Sequence, residues 1–290
     1  MLYAFVCHFN SLVSLYQVAY AHTQAFSGSH VLQVYVHTQE STFYLNLREG
    51  LYVRRYHYPT GDFPSVGPQQ PTRVVLLRLN NDQTTFKEIT TYFMKEWVKL
   101  TAQCPKPPIP TAIYAVQNSA LTKKFHSYGD QLRNNKKSSN SDLFFHGTKL
   151  NCDLLTTNEC CDDRGCGVCG ISKNGFNPAL IGKNIPRFQR FGKGIYLAPN
   201  SSKCHDYTQG NPDYGFRAQL LCLVACGAKY ELLHDDTKLV APPDKFHSVH
   251  GKAAAGGSLN YDEIVVYQAD AVLPQYIVVY ELNGVEKIAK

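Results

Sequence analysis

Phe191-Gly192-Lys193-Gly194-Ile195-Tyr196-Leu197-Ala198 sets two glycines ahead of a short apolar run, which is the pattern of a tight turn that leads into a strand. Short apolar runs separated by glycine-rich turns recur through the second half of the chain, at residues 143–145, 194–197, 220–224, 264–267 and 276–280. The later runs are too close together for crossover helices between them. We therefore predict an α+β fold with a mostly antiparallel sheet.

Two helices are predicted before this region. Residues 85–88 have the spacing of a capping box, so the first helix should begin at Thr85. Four large apolar residues then share one helical face, which predicts a stripe that packs on the core: Phe86, Ile89, Phe93 and Trp97. Prolines between 105 and 110 end this helix, and a strand at 113–116 and a helix at 119–132 should follow.

The first 80 residues have a different pattern. Apolar and polar residues alternate in short steps between 31 and 53, with many β-branched and aromatic types, and this is typical of strands. A Pro/Gly-rich stretch at 59–71 and an apolar run at 74–79 follow. We predict a small β-rich N-terminal region over residues 1–80, of unknown role, and a second domain over residues 81–290.

The composition is that of a packed globular protein. Hydrophobic residues make up 44% of the 290 residues and charged residues 18%, which excludes a disordered chain. The formal net charge of +6 is scattered along the chain. It is too small to indicate nucleic-acid binding by itself, although it would help to attract a diphosphate.

Residues 1–21 resemble a signal peptide in part, because they are uncharged and fairly apolar and end in Ala19-Tyr20-Ala21. The segment lacks a basic start, and polar residues interrupt its apolar core. No stretch reaches the roughly 20 apolar residues that span a bilayer. We therefore expect an intracellular protein, nuclear or cytoplasmic, that is neither secreted nor bound to a membrane.

Five of the ten cysteines lie within residues 152–169, which favours metal binding in a reducing compartment over a disulfide framework. Cys161, Cys166 and Cys169 supply three thiolates, the last two at the spacing that lets two sulfurs reach one ion. Cys152 or Cys160 would complete a tetrahedral zinc site of structural function. We choose Cys152, because Cys160 adjoins Cys161 and neighbouring residues seldom reach the same ion.

The alternative to a zinc site is a group of free or transiently oxidised thiols. An alternative function of the protein is a nucleic-acid reader built from the cysteine cluster. The reader would use nearby bases, Lys149, Arg164 and Lys173. Four acidic residues among them would repel phosphates, which argues against it: Asp153, Glu159, Asp162 and Asp163.

Four segments in chain order carry a resemblance to a known family. They are Phe145-His146-Gly147-Thr148, residues 191–198, Ser201-Ser202-Lys203-Cys204-His205-Asp206-Tyr207, and Asn260-Tyr261-Asp262-Glu263-Ile264-Val265-Val266-Tyr267. The set resembles the catalytic domain of the poly(ADP-ribose) polymerase (PARP) family, over about residues 85 to 282. The resemblance implies the ADP-ribosyltransferase fold, a split and mostly antiparallel sheet with flanking helices. The position of the cysteines is similar to that in zinc-cluster PARP-like proteins of fungi.

The resemblance also implies the roles of five residues in cleaving the nicotinamide–ribose bond of NAD, the co-substrate. His146, Tyr196 and Glu263 would be the catalytic residues. His146 would hydrogen-bond the adenosine ribose, the backbone of Gly147 would pair with the carboxamide, and Tyr196 and Tyr207 would stack on nicotinamide. Glu263 would stabilise the oxocarbenium-like transition state and polarise the nucleophile.

The sequence departs from the family at Cys204, where many members have a serine whose hydroxyl bonds the carboxamide; a thiol donates weakly. The loop after Val249 is short and rich in small residues, so we expect mono-ADP-ribosylation or short chains, on protein acceptors and on the protein itself. Nothing before Thr85 resembles a helical regulatory domain, and we expect no dependence on DNA strand breaks. The alternative is a non-catalytic module that binds a nucleotide or a protein partner.

Overall fold

The computed structural model describes residues 74–101, 104–134, 139–181, 189–211 and 213–282, together with the backbone of three strands closer to the N-terminus. The signal-like segment at residues 1–21 and residues 135–138 of the polar loop lie outside the described residues. Two compact units divide the chain between Gln70 and Pro71. In the first unit, strands β1 (Gln33–His37), β2 (Thr42–Asn46) and β3 (Tyr52–Tyr56) pair antiparallel in that order.

The second unit mixes helices and strands. Its strands are β4 (Val75–Arg78), β5 (Pro110–Gln117), β6 (Ser141–Gly147), β7 (Ile195–Leu197), β8 (Arg217–Ala225), β9 (Lys229–Leu232), β10 (Ser248–Gly251), β11 (Glu263–Val266) and β12 (Val272–Tyr280). Its helices are α1 (Thr84–Lys95), α2 (Ser119–Asn134), α3 (Leu154–Thr157), α4 (Gly167–Asn174) and α5 (Ser201–His205), with 3₁₀ turns at Pro178–Leu180 and Ala269–Ala271. Among the described residues, no helix has the length and apolar character needed to cross a membrane.

The strands of this unit form two sheets, in the orders β4-β5-β12-β8-β6 and β7-β11-β10-β9. Neighbouring strands pair antiparallel, except for the parallel pair of β9 and β10. The predicted α+β class with a mostly antiparallel sheet is confirmed. The sequence did not predict β9, since its Lys229-Tyr230-Glu231-Leu232 is half polar and only partly buried.

A pair of backbone hydrogen bonds joins the two sheets. Phe145 on β6 donates its N–H to the carbonyl of Ala198 at 2.8 Å, and Ala198 returns the bond at 3.0 Å. This bridge sets the end of β6 beside the end of β7. It brings together two of the sequence motifs that are far apart in the chain.

The core lies along the two central strands β8 and β12, whose side chains are buried almost throughout. Helix α1 covers one side of the core with the predicted stripe of Phe86, Ile89, Phe93 and Trp97, all of which are buried. Phe93 is fully enclosed and packs on Phe145 and Tyr280. Removing such a ring typically costs about 3–5 kcal/mol of folding free energy.

The predicted start of α1 was wrong. The helix begins at Thr84, its N-cap is Gln83, and no side chain caps it. Gln83 instead accepts a hydrogen bond from the N–H of Asn80 at 3.0 Å, which stabilises the turn before the helix. Burial of the apolar stripe decides where this helix lies, because packing outweighs the roughly 1 kcal/mol of a cap.

The apolar run at 74–79 belongs with the second unit. It forms β4, which pairs with β5 at the edge of the larger sheet. The compact unit therefore starts at Pro71, ahead of the boundary predicted at residue 80. Edge pairing with β5 was invisible in the sequence because it depends on a partner strand that follows helix α1.

Candidate active site

His146 lies at the end of β6, where the bridge between the sheets holds it next to β7. Its ring Nδ1 is 2.9 Å from the backbone oxygen of Tyr196. A carbonyl oxygen only accepts, so Nδ1 carries the proton and donates it, and Nε2 keeps a free lone pair. Burial lowers the pKa of His146, which keeps the ring neutral. The structure thus prepares Nε2 as a hydrogen-bond acceptor.

Tyr196 and Glu263 share one face of the smaller sheet. Tyr196 on β7 is paired with Val265 on β11, and Glu263 lies two residues before Val265. Because side chains alternate along a strand, all three project from the same side. The sheet register therefore brings together two residues that the sequence assigned to catalysis.

The hydroxyl of Tyr196 is used inside the protein. It accepts a hydrogen bond from the N–H of Phe191 at 2.9 Å and donates to the carbonyl of Gly192 at 2.7 Å. Burial raises the pKa of Tyr196, so the phenol stays protonated. The hydroxyl therefore anchors the glycine-rich turn. Only the ring of Tyr196 is left for the predicted stacking on nicotinamide.

Glu263 is a buried carboxylate with a single ionic partner in the described part of the chain. Its Oε1 is 2.9 Å from Nζ of Lys203, and the two side chains are only 7% and 16% exposed. Burial works to lower the pKa of Lys203, but the carboxylate outweighs it and holds the pKa above its ordinary value. The pair is therefore a charged one.

The second oxygen of Glu263 has no partner among the described residues, although it is buried. Leaving a buried polar atom unpaired costs about 1–3 kcal/mol, and more when it is charged. Proteins seldom accept this cost outside functional sites. Oε2 of Glu263 is thus an unsatisfied hydrogen-bond acceptor beside the Lys203 ion pair.

Helix α5 carries Lys203, and its serines fix the helix against the end of α1. Ser201 donates its hydroxyl to the carbonyl of Phe93 at 2.7 Å. The hydroxyl oxygen of Ser202 accepts from the N–H groups of Val98 and Lys99 at 3.1 and 3.0 Å. The family-like serine pair is therefore a structural anchor that positions the residues after it.

Gly147 lies against the end of this helix. A Cβ atom built on Gly147 would overlap the backbone carbonyl of Cys204 and lie 3.1 Å from Cβ of Tyr207. Only glycine allows this close approach between β6 and α5. The backbone of Gly147 therefore lies directly against Cys204 and Tyr207.

The thiol of Cys204 bonds within the protein and is 4% exposed. It donates to the carbonyl of Phe145 at 3.0 Å, and burial raises its pKa to about 12. A neutral, engaged thiol is a weak donor to any ligand. The assignment of Cys204 to nicotinamide binding stays a prediction.

Tyr207 is 37% exposed. Nζ of Lys203 lies 5.5 Å from the centre of this ring, within the range of a cation–π contact. Lys203 therefore touches both Glu263 and Tyr207. The sequence interpretation passed over this lysine, even though it stands inside the Ser-Ser-Lys motif.

A second centre is formed by four cysteines: Cys152, Cys161, Cys166 and Cys169. Their sulfurs all lie within 4.8 Å of one another, and those of Cys152 and Cys169 are 3.6 Å apart. A tetrahedral zinc ion with bonds of about 2.3 Å separates its sulfurs by roughly 3.8 Å. The four residues fit such an ion and could hold one.

The surroundings of Cys166 suit a thiolate. Cys166 is the N-cap of α4, where the helix dipole favours negative charge, and its sulfur accepts from the N–H of Asn151 at 3.4 Å. Hydrogen bonds with Cys152 and Cys169 further lower its pKa. Cys160 also lies beside Cys169, but it is outside the group of four.

Comparisons with known proteins agree with this geometry. The family model described as "Poly(ADP-ribose) polymerase catalytic domain" matches residues 83–255, more than half of the chain. The match ends before Glu263, so the placement of that residue is a result of the structure. Similar proteins include "Protein mono-ADP-ribosyltransferase PARP4" of Homo sapiens, 32% identical over 96 residues, and its namesake of Mus musculus, 31% identical over 96 residues.

Those alignments span 32% of this chain but only 6% and 5% of the two relatives, which are far longer proteins. On the breadth of the family match, this chain belongs to the PARP catalytic domain family, whose members use NAD as a substrate.

Proposed function

We propose that this protein is an NAD-dependent ADP-ribosyltransferase. It would cleave the nicotinamide–ribose bond of NAD and transfer ADP-ribose to protein acceptors, including itself. The observation that carries the proposal is the Glu263 carboxylate, which is buried, paired with Lys203 and left with one oxygen that has no partner among the described residues. It projects from the same sheet face as Tyr196.

The reaction needs negative charge near C1′ of the nicotinamide ribose. As the glycosidic bond breaks, the ribose gains oxocarbenium character and nicotinamide leaves as a neutral base. A buried carboxylate stabilises this cation more strongly than an exposed one, because the surrounding dielectric is low. Oε2 of Glu263 can then accept the proton of the attacking acceptor group.

Lys203 fixes this carboxylate. Its ammonium neutralises the buried charge of Glu263 before substrate binds and holds Oε1, so that Oε2 is the oxygen left for the ribose and the nucleophile. The same lysine also contacts Tyr207, whose ring is predicted to stack on nicotinamide. Lys203 is therefore a positioning residue in this mechanism.

The remaining cleft residues would seat the two halves of NAD. Nε2 of His146 accepts from a hydroxyl of the adenosine ribose, since Nδ1 is already bonded to Tyr196. The carboxamide of nicotinamide pairs with the backbone of Gly147, and its ring lies between Tyr196 and Tyr207. With the Cys204 thiol engaged elsewhere, the hold on the carboxamide is weaker than a serine would give.

The loop between β10 and β11 supports the transfer of single ADP-ribose units or short chains. The loop is tied down at several points: Gly257 N–H to Ala254 O at 2.9 Å, Ser258 N–H to Leu233 O at 2.8 Å and Ala253 N–H to Asp262 Oδ1 at 2.9 Å. A short, fixed loop offers little surface to grip a growing polymer. We therefore favour transfer of single units or short chains.

The cysteine cluster would hold a structural zinc ion through Cys152, Cys161, Cys166 and Cys169. Zinc bound by four thiolates has no open position for a substrate, so it would contribute folding free energy and no chemistry. Thiolate ligands persist in a reducing compartment, which supports an intracellular location, nuclear or cytoplasmic. We propose activity without DNA strand breaks and without a membrane.

Automodification with labelled NAD, resolved by product length, tests the proposal. Purified wild-type protein should incorporate label as single units or short chains, without added DNA. Binding of NAD with no incorporation would disprove the enzyme and leave a nucleotide-binding module, a rival that the engaged thiol of Cys204 favours. Long ladders would disprove the proposed product length.

A further inference from the structure

His146 has a second support besides its bond to Tyr196. The ring of Phe176 meets the imidazole edge to face, with centroids 4.9 Å apart and planes at 85°. Phe176 is buried. A single hydrogen bond at Nδ1 leaves the imidazole free to tilt about that bond. The Phe176 ring fixes the tilt, and therefore the direction of the Nε2 lone pair.

The position of Phe176 is set by the C-terminal end of α4, which it follows directly. The buried side chain of Asn118 donates to the carbonyls of Ser172 and Lys173 at 3.1 and 2.8 Å. Gly175 ends the helix at φ +75°, a conformation that suits glycine. The chain thus leaves α4 in one defined direction, toward His146.

The other end of α4 belongs to the cysteine cluster. Cys166 is its N-cap and Cys169 lies in its first turn. The N–H of Val168 also bonds the carbonyl of Lys149 at 3.1 Å, on the segment that continues from His146 and Gly147. Helix α4 therefore spans from the cluster to the NAD site.

A helix of eight residues is too short to persist without its contacts. Without a metal ion, only weak contacts between sulfurs, such as that of Cys152 and Cys169 at 3.6 Å, connect the N-terminal end of the helix to the rest of the cluster. With a soft divalent ion bound, Cys166 and Cys169 are fixed to Cys152 and Cys161, and α4 gains a rigid start. Metal binding at one end thus decides how firmly Phe176 is held at the other.

We propose that Phe176 is the positioning residue of His146 and that, through α4, a metal ion in the cysteine cluster tightens the binding of NAD. This inference rests on the proposed function, because it requires His146 to bond NAD. It adds a route by which the cluster, remote from the chemistry, sets substrate affinity.

Variants of Phe176 test the first part on zinc-loaded protein. Phe176→Ala should raise both the Kd for NAD by calorimetry and the KM about 10-fold, with kcat within about 2-fold. Phe176→Tyr keeps the ring and should restore the wild-type values. Phe125→Ala, which removes a buried phenylalanine from α2, is the matched control and should lower Tm without moving the Kd.

Zinc removal tests the second part. Chelation of the wild-type protein should weaken NAD binding about 10-fold. Chelation of Phe176→Ala should weaken NAD binding little further, because this variant already lacks the contact between residue 176 and His146. Zinc content by metal analysis should be equal in wild type and Phe176→Ala before chelation.

Each result has a defined reading. If Phe176→Ala changes the Kd no more than Phe125→Ala, Phe176 does not position His146. If chelation weakens NAD equally in wild type and Phe176→Ala, the cluster does not act through Phe176. His146→Ala separates these failures from a failure of the proposed function, because unchanged NAD affinity in that variant would remove the role of His146 itself.

Discussion

The cysteine cluster includes the N-terminal end of helix α4, and the proposed NAD site contacts the other end through Phe176 and His146. The polar atoms of the two sites differ in whether they have partners. In the cluster, four sulfurs lie within 4.8 Å of one another, so that a single ion could use all of them. At the NAD site, Glu263 meets Lys203 with one oxygen and leaves the other buried without a partner among the described residues. Four sulfurs that share one ion would stabilise the fold. A carboxylate oxygen without a partner can instead bond a substrate.

The largest effect on activity is expected from removing the negative charge of Glu263. Glu263→Gln keeps the shape but loses the negative charge, so we expect kcat for ADP-ribose transfer to fall about 10²–10³-fold, the usual cost of losing one group that stabilises transition-state charge. The Kd for NAD should change by less than about 3-fold. Glu231→Gln, an exposed carboxylate on β9 of the same sheet, is the control and should stay active. Equal losses in kcat and in NAD affinity would assign Glu263 a structural role.

Removing one of the four cysteine ligands should lower stability before it lowers activity. Cys166→Ser removes one of four ligands, so we expect zinc content to fall from about one ion per chain to near zero, with Tm lower by about 6–12 °C for a loss of roughly 3 kcal/mol. Metal analysis and a thermal melt provide the measurement. Cys160→Ser, next to the cluster but outside the group of four, should keep the metal. Full zinc in Cys166→Ser would exclude the proposed ligand set.

Acidification should weaken NAD binding through His146. Burial holds the pKa of His146 below its ordinary value of about 6.5, so the neutral ring, whose Nε2 accepts, persists from pH 8 down through pH 6.5. Protonation at lower pH turns Nε2 into a donor, and affinity should then fall several-fold. Calorimetric titrations of NAD between pH 8 and 5.5 give the profile. Loss already centred at pH 6.5 would show that burial does not protect the ring.

The smallest catalytic effect is expected at the hydroxyl of Tyr196. Tyr196→Phe keeps the stacking wall, so kcat and KM should change by less than about 3-fold. The variant leaves the N–H of Phe191 without its acceptor, and stability should fall by about 1–3 kcal/mol in denaturant unfolding. A large fall in kcat with unchanged stability would mean that the hydroxyl contacts the substrate.

Much of the fold could be predicted because it depends on local pattern. The apolar runs at 143–145, 220–224 and 276–280 are strands, and the stripe from Phe86 to Trp97 is buried. Periodicity reports which side of an element is covered. It does not report caps such as Gln83, nor half-polar strands such as β9, because tertiary packing decides both.

The candidate site, too, could be predicted where it depends on local spacing and not where it depends on tertiary packing. Short spacing brought Cys161, Cys166 and Cys169 into consideration, since a loop of a few residues can bend around one ion whatever the rest of the chain does. The choice of Cys152 over Cys160 was also made from the sequence, because Cys160 adjoins Cys161, and the group of four sulfurs agrees with it. Lys203 was visible in its motif, but nothing in the sequence paired it with Glu263.

The sequence by itself determined the positions of most strands, because these follow from short-range periodicity and local turn chemistry. It also contained, in order, the motifs whose resemblance to the family names the candidate catalytic residues. Only the tertiary structure decided which atoms are free. The bridge between Phe145 and Ala198, the register of β7 on β11 and the direction of α4 set where His146 and Glu263 lie. In the described part of the chain, this placement leaves Oε2 of Glu263 without a hydrogen-bond partner. These contacts join distant segments, and such pairings depend on sheet register and packing that no local pattern specifies.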